Sequence, residues 1–171
     1  LIDDLLAIMM QARDDDGSPM SEEQLRDESV TLFVAGHETT AIALSWAIYE
    51  MARNPSIQSK LQEEADRECL PAQPSLKDVA CLTYARKLFQ ESLRFYPPVP
   101  FFARQTRDEY QLGEYTLPPG SVVALSPYLT QRDSRFYPNP ELFDPDRWTD
   151  AFRESMPKYA FFPFSGGPRV C

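Results

Sequence analysis

Basic residues are in short supply in this sequence. Its 17 lysines and arginines stand against 26 aspartates and glutamates, a formal net charge of −9. A surface of that sign repels a phosphate backbone, so no nucleic acid is expected among its partners. The acidic residues are spread through helical segments and form no tail. Three cysteines, Cys69, Cys81 and Cys171, are too few for a disulfide framework, and their odd number leaves at least one thiol unpaired. A reducing compartment fits that usage, and a cytoplasmic location is expected, although a membrane anchor could precede these residues. The sequence holds a single histidine, His37. No uncharged run approaches the ~20 residues of a bilayer span, because Gly-His-Glu-Thr-Thr interrupts the most apolar stretch, Val30 to Ala52. The opening LIDDLLAIMMQARDDDG lacks the basic start and small-residue cleavage site of a signal peptide and reads as the tail of a helix already under way. There are no repeats and no low-complexity tract.

What is present is globular. At 43% hydrophobic and 25% charged, the 171 residues resemble an average soluble domain and could bury a core. Proline divides them: only 4 of the 16 precede Pro97. Helix interiors tolerate proline badly, so residues 1–96 should be helical and residues 97–171 mostly strands, turns and irregular chain. The fold class that follows is mainly α with a small antiparallel β part.

Ser-Glu-Glu-Gln at 21–24 is a capping box, and no proline follows until Asn54-Pro55, so one helix could run roughly 45 to 50 Å. Apolar residues cover nearly all its faces from Leu32 to Met51, as in a helix through the middle of a protein larger than this chain. Residues 55–69 form an amphipathic helix with Ile57, Leu61 and Ala65 at four-residue spacing. Residues 82–96 form another, with Leu82, Ala85, Leu88, Phe89 and Leu93 on its apolar side, stopped by Pro97-Pro98. Alternating residues on either side of Pro118-Pro119-Gly120 predict an antiparallel hairpin closed by a type II turn there.

Four stretches could carry chemistry. Ala-Gly-His-Glu-Thr-Thr (35–40) sits mid-helix, where glycine costs about 1 kcal/mol against alanine. Either Gly36 allows a close helix crossing with Glu38 paired to an arginine, or Gly36 opens space beside an acid and a hydroxyl, Glu38 and Thr39, able to bond back along the helix. Glu91 and Arg94 share a helical face. On the surface such a pair contributes ~0 to 1 kcal/mol, whereas buried with a second arginine it costs about 3 to 5 kcal/mol to break. Phe-Asp-Pro-Asp-Arg-Trp (143–148) offers that arginine, Arg147, or is a surface turn with an aromatic anchor. In Phe-Ser-Gly-Gly-Pro-Arg-Val-Cys (164–171), Cys171 is either a buried hydrophobe or a thiolate. Gly166-Gly167 permits a tight turn close to a flat ligand, and amide donors with Arg169 favour the charged sulfur.

In this order the four motifs resemble the cytochrome P450 family of haem-thiolate monooxygenases, and the resemblance covers the whole chain as the C-terminal-middle portion of one longer domain. Phe164, Gly167, Arg169 and Cys171 fill F-x-x-G-x-R-x-C. Glu91 and Arg94 fill E-x-x-R, and residues 35–40 fill the motif of the long central helix. The resemblance implies haem b as cofactor, with Cys171 as proximal iron ligand. It implies Arg169 and Arg104 as propionate contacts, Phe164 as a shield for the sulfur, and Gly167 in the turn. Glu38 and Thr39 would relay protons to bound dioxygen, with Gly36 making room for it. Glu91, Arg94 and Arg147 would be a buried structural triad locking the cysteine loop. The implied reaction inserts one atom of O2 into a small hydrophobic organic substrate, with electrons from a ferredoxin or flavoprotein reductase. Residues 1–171 alone are expected to be inactive, because the helix facing the sulfur lies beyond them. Asp146 stands where glutamate is commoner, and Gln131 where His or Asn often precedes Arg132-Asp133. Two rivals are a peroxide-using haem-thiolate enzyme that needs no reductase, and a haem-free helical interaction protein.

Overall fold

The computed structural model describes residues 4–68 and 74–171. Cys69 lies outside the described residues. The chain divides into two units, Leu1–Ala41 and Ile42–Cys171.

In the first unit, α1 (Leu5–Gln11) has a start of its own. Asp4 is its N-cap, with Oδ1 accepting the Ala7 N–H at 2.8 Å. The expectation of a helix already under way is therefore corrected: an extended aspartate takes up a first-turn donor and begins the helix there. A turn with Gly17 at φ +84° leads to α2 (Glu22–Arg53), 32 residues and about 48 Å long. The capping box forms as its spacing predicts. Ser21 Oγ accepts the Gln24 N–H at 3.2 Å, and Gln24 Oε1 accepts the Ser21 N–H at 2.9 Å. Val30, Phe33 and Val34 are all exposed, so this half of α2 rests on its cap and backbone ladder rather than on burial within the unit.

In the second unit, the last turns of α2 bury Ala43, Ala47 and Glu50. Trp46 stacks on Tyr96 with centroids 4.0 Å apart, and the Tyr96 hydroxyl donates to Glu50 Oε1 at 2.6 Å. Burial, then that hydrogen bond, push the Tyr96 phenol up to about 12. After the expected break at Asn54, α3 (Pro55–Arg67) buries Ile57 as the pattern predicts, but it also buries Glu64. Glu64 closes the N-terminus of α5 (Thr83–Phe95), whose own N-cap, Leu82, offers no side-chain acceptor. Its carboxylate accepts the Tyr84 N–H (2.6 Å), the Ala85 N–H (2.9 Å) and the Thr83 hydroxyl (3.0 Å). The two amides are orphan first-turn donors at the positive end of a helix dipole.

Burial alone would raise the Glu64 pKa, but the two amides, the hydroxyl and Arg67 together hold it below the ordinary carboxylate value. A depressed folded pKa stabilises the fold above the unfolded value of about 4.3, and that contribution is lost as pH falls through the folded value. Glu64→Ala is expected to cost about 1–3 kcal/mol at neutral pH. In urea unfolding, the gap between parent and variant should narrow below pH about 4; a gap constant with pH would refute this account.

Between α3 and α5 lies α4 (Leu76–Ala80), opened by a second capping box of Ser75 and Asp78. α5 ends before Pro97-Pro98 as expected, burying Leu88, Glu91, Ser92, Leu93 and Arg94.

The β part is small and antiparallel, but its pairing differs from the expected hairpin. β2 (Tyr110–Leu112) pairs with β3 (Tyr115–Leu117), and β1 (Phe102–Gln105) pairs with β4 (Val122–Leu125). The type II turn does form: Gly120 has φ +83°, and the Ser121 N–H donates to Pro118 O at 3.2 Å. It joins strands of two different sheets, because a type II turn splays the chains it connects. The hairpin closes instead at Gly113, φ +59°, in a two-residue turn suited to strand twist. Residues 126–171 add α6 (Pro127–Thr130), α7 (Asp150–Ser155) and two short 3-10 turns, at Pro145–Arg147 and Gly167–Arg169. Among the described residues, no helix is long and apolar enough to cross a membrane.

Candidate functional site

Glu91 is the hub of the second unit. It is wholly buried and its two oxygens accept from five donors. Arg94 grips it in a fork, Nε to Oε2 at 2.9 Å and Nη2 to Oε1 at 2.8 Å. Arg147 Nε (3.0 Å) and the Asp144 N–H (2.9 Å) reach Oε1, and Trp148 Nε1 (2.9 Å) reaches Oε2. The surface-pair reading of Glu91 and Arg94 is thus excluded, and the second arginine is Arg147. Two guanidinium groups against one carboxylate leave an excess positive charge, which backbone carbonyls take up. Arg94 donates to the carbonyls of Gln131, Pro140 and Leu142, and Arg147 to those of Pro138, Asn139 and Leu142. The triad therefore staples residues 131–147 onto α5. Asp146, beside it, is exposed and pairs with Lys60 of α3 at 2.5 Å.

A second layer connects this hub to the chain leading into the cysteine loop. Tyr137, fully buried, donates its hydroxyl to Ala160 O at 3.0 Å. Trp148 packs on Phe161 with centroids 4.7 Å apart. Gln131 Oε1 accepts the Phe162 N–H at 3.1 Å. Three successive residues, 160 to 162, are each held by a different buried side chain.

From there the loop folds on itself. The Ser165 N–H donates to Phe162 O (3.0 Å) and the Cys171 N–H to Phe164 O (3.0 Å). Ser165 and Gly167 take left-handed φ of 66° and 75°. Gly166 is extended and lies against the Tyr159 ring, where an added Cβ would stand 2.8 Å from a ring carbon. Cys171 is a free thiol on this turn. Phe164 is exposed on the same turn. The side chain of Arg169 lies outside the described set. Arg104, on β1, is exposed; its guanidinium donates to Ala103 O and lies over the Phe102 ring, with no carboxylate paired to it among the described residues. Phe102, two residues earlier on β1, meets Phe162 edge-on at 6.1 Å, which ties that strand to the approach of the loop.

Gly36, Glu38 and Thr39 lie in the first unit, on α2. Nothing stands within 4 Å of where a Cβ on Gly36 would sit, so a close helix crossing does not explain that glycine among the described residues. Thr39 Oγ1 donates to Ala35 O at 2.5 Å, the backward bond its position allows. Glu38 is exposed and forms no ion pair among the described residues. His37 stacks on Phe33.

Sequence reasoning passed over three side chains of the support. Gln131 registered only as an unusual residue, Trp148 as an anchor on a surface turn, and Tyr137 not at all. Only Trp148 gave a local signal, an aromatic directly after Arg147.

Comparison with known proteins gives the family. The family model "Cytochrome P450" matches residues 1–171. The chain is 40% identical over 169 residues to cyclooctatin synthase of Streptomyces melanosporofaciens, covering 98% of this chain and 37% of that protein. It is 35% identical over 170 residues to human Cytochrome P450 4V2, covering 97% of this chain and 32% of that protein. Among solved structures it matches retinoic acid bound cyanobacterial CYP120A1 at a TM-score of 0.93 and 33% identity, over 98% of this chain and 39% of that one. The chain thus spans less than two fifths of each of these proteins, and over that span its sequence and fold make it a member of the cytochrome P450 family, whose cofactor is haem.

Proposed function

We propose that the complete protein is a haem-thiolate monooxygenase, with the loop 164–171 as the seat of the proximal ligand. The observation that carries this is the free, exposed Cys171 thiol on a left-handed glycine turn, reached through three residues that buried side chains hold in place. The residues present fit the group: a soft sulfur for iron, an exposed Phe164 ring on the same turn, and an Arg104 guanidinium with no carboxylate paired to it among the described residues. Cys171 would hold the metal, Arg104 and Arg169 the propionates, and Phe164 would exclude water from the sulfur. Bound there, a thiolate-ligated haem supplies the activation of O2 for insertion of one oxygen atom into an organic substrate.

The chain's own residues handle protons and access. With its proton committed to Ala35 O, Thr39 Oγ1 turns its lone pairs outward. It therefore accepts a hydrogen bond and fixes a donor such as water, while the exposed Glu38 carboxylate takes up protons from solvent and passes them on. Gly36 keeps its face of α2 open. The substrate is a small hydrophobic organic molecule, the electrons come from a ferredoxin or flavoprotein reductase, and the cysteine usage supports a cytoplasmic location.

The full-length protein, reduced under carbon monoxide, should give the spectrum of a thiolate-ligated haem; an imidazole-type spectrum would refute the reading. Thr39→Ala should lower product formed per electron pair by about tenfold, with the balance released as hydrogen peroxide. Unchanged coupling would point instead to an enzyme that uses peroxide directly.

A further inference from the structure

Gln131 follows α6 and is fully buried, and its side-chain amide bonds only to uncharged backbone groups. We propose that it is a positioning residue for the cysteine ligand, carrying the register of α5 to the backbone that delivers Cys171. The proposal rests on the reading of Cys171 as the haem ligand.

The geometry is specific to a side-chain amide. Gln131 Nε2 donates to Leu93 O at 3.0 Å and to Arg94 O at 3.1 Å, and Oε1 accepts the Phe162 N–H at 3.1 Å. The two carbonyls belong to the last turn of α5, where a helix leaves its acceptors without internal partners. Both amide hydrogens are thus committed to one element and the amide oxygen to another. A flipped amide would set N–H against N–H and oxygen against oxygen, so the partners fix its orientation. The main chain of Gln131 is fixed as well: its carbonyl accepts from Arg94 Nη1 (2.9 Å) and its N–H donates to Pro127 O (2.8 Å). Glutamate could not take this place as a carboxylate, because it would face two carbonyl oxygens with nothing to donate.

Beyond Phe162, the path continues without a gap to the sulfur-bearing residue. Phe162 O accepts from the Ser165 N–H, and Phe164 O from the Cys171 N–H. Displacing the Phe162 amide therefore displaces the turn on which Cys171 sits. Tyr137 and Trp148 hold residues 160 and 161, whereas Gln131 links Phe162 to the last turn of α5 through one side chain.

The test uses the full-length holoenzyme. Gln131→Met, similar in volume but without hydrogen bonds, leaves two buried carbonyls and one N–H unpaired. The reduced carbon monoxide complex should then shift in part from thiolate to thiol character, and haem transfer to an excess of an apo-haem acceptor should quicken by about tenfold. Gln131→His keeps one donor and one acceptor and should return both readouts most of the way to the parent's values. If Gln131→Met does not accumulate as folded protein, Gln131→Asn is measured in the same two assays; it keeps the polar groups on an arm too short to bridge both segments, and the same changes are expected. Variants that unfold more readily but keep the parent's spectrum and haem release would show a purely structural role and overturn the proposal. A parent enzyme without the thiolate spectrum would sink the haem-thiolate reading, and this proposal with it.

Discussion

Glu91→Ala in the full-length protein should prevent folded, haem-containing material from accumulating. The substitution deletes the acceptor of five donors and leaves Arg94, with no solvent exposure, without its counter-charge. Removing one partner of a buried ion pair costs about 3–5 kcal/mol, and here the Trp148 indole N–H, the Asp144 amide and Arg147 lose their acceptor as well. Against a total stability of about 5–15 kcal/mol, that is enough to unfold many domains. The measurement is the ratio of haem to protein in the soluble fraction, together with its urea midpoint. Glu91→Gln keeps the shape and one acceptor oxygen but turns an NH2 group toward donors, so it should be nearly as damaging. Normal haem content in Glu91→Ala would mean that the triad contributes nothing beyond its own contacts.

The second large effect is expected at Trp148. Its side chain is 1% exposed and packs against Phe161 at 4.7 Å and Phe152 at 5.9 Å while donating to Glu91. Trp148→Ala removes both the ring and the hydrogen bond, at a cost of about 3–5 kcal/mol. Trp148→Phe keeps most of the packing and should lose about 1–3 kcal/mol, the share belonging to the indole N–H. Urea unfolding of the two variants separates these contributions. If the phenylalanine variant proved as unstable as the alanine one, the hydrogen bond would dominate; if the alanine variant lay within about 1 kcal/mol of the parent, Trp148 would not be a pillar of the loop's support.

Local devices were readable without coordinates. The Ser21–Gln24 capping box, the break at Asn54-Pro55, the stop before Pro97-Pro98 and the turn at Gly120 depend on neighbours within four residues, and each lies where the spacing puts it. The four motifs pointed to the family for a related reason, since each is a short fixed spacing. Strand pairing was misread because the partners of β4 lie some twenty residues back, and alternation alone cannot choose between two suitable strands. Glu64 drew no notice in the sequence, because only the arrival of α5 makes its position a cap. Gln131 is harder still. A lone amide gives no periodic signal, and its three partners come from two distant segments.

Glu64 and Gln131 together give α5 an unusual dependence: the first turn is finished by α3, and the last by a residue that follows α6. The donors Asp144, Arg147 and Trp148 lie 53, 56 and 57 residues after Glu91. A ribosome therefore releases α5 well before the chain that neutralises its interior charge. Collapsing α5 into an apolar nucleus ahead of time strands a carboxylate and a guanidinium short of partners, which penalises premature compaction. Closing so long a loop is slow, so acquisition of the ligand turn belongs among the late events of maturation.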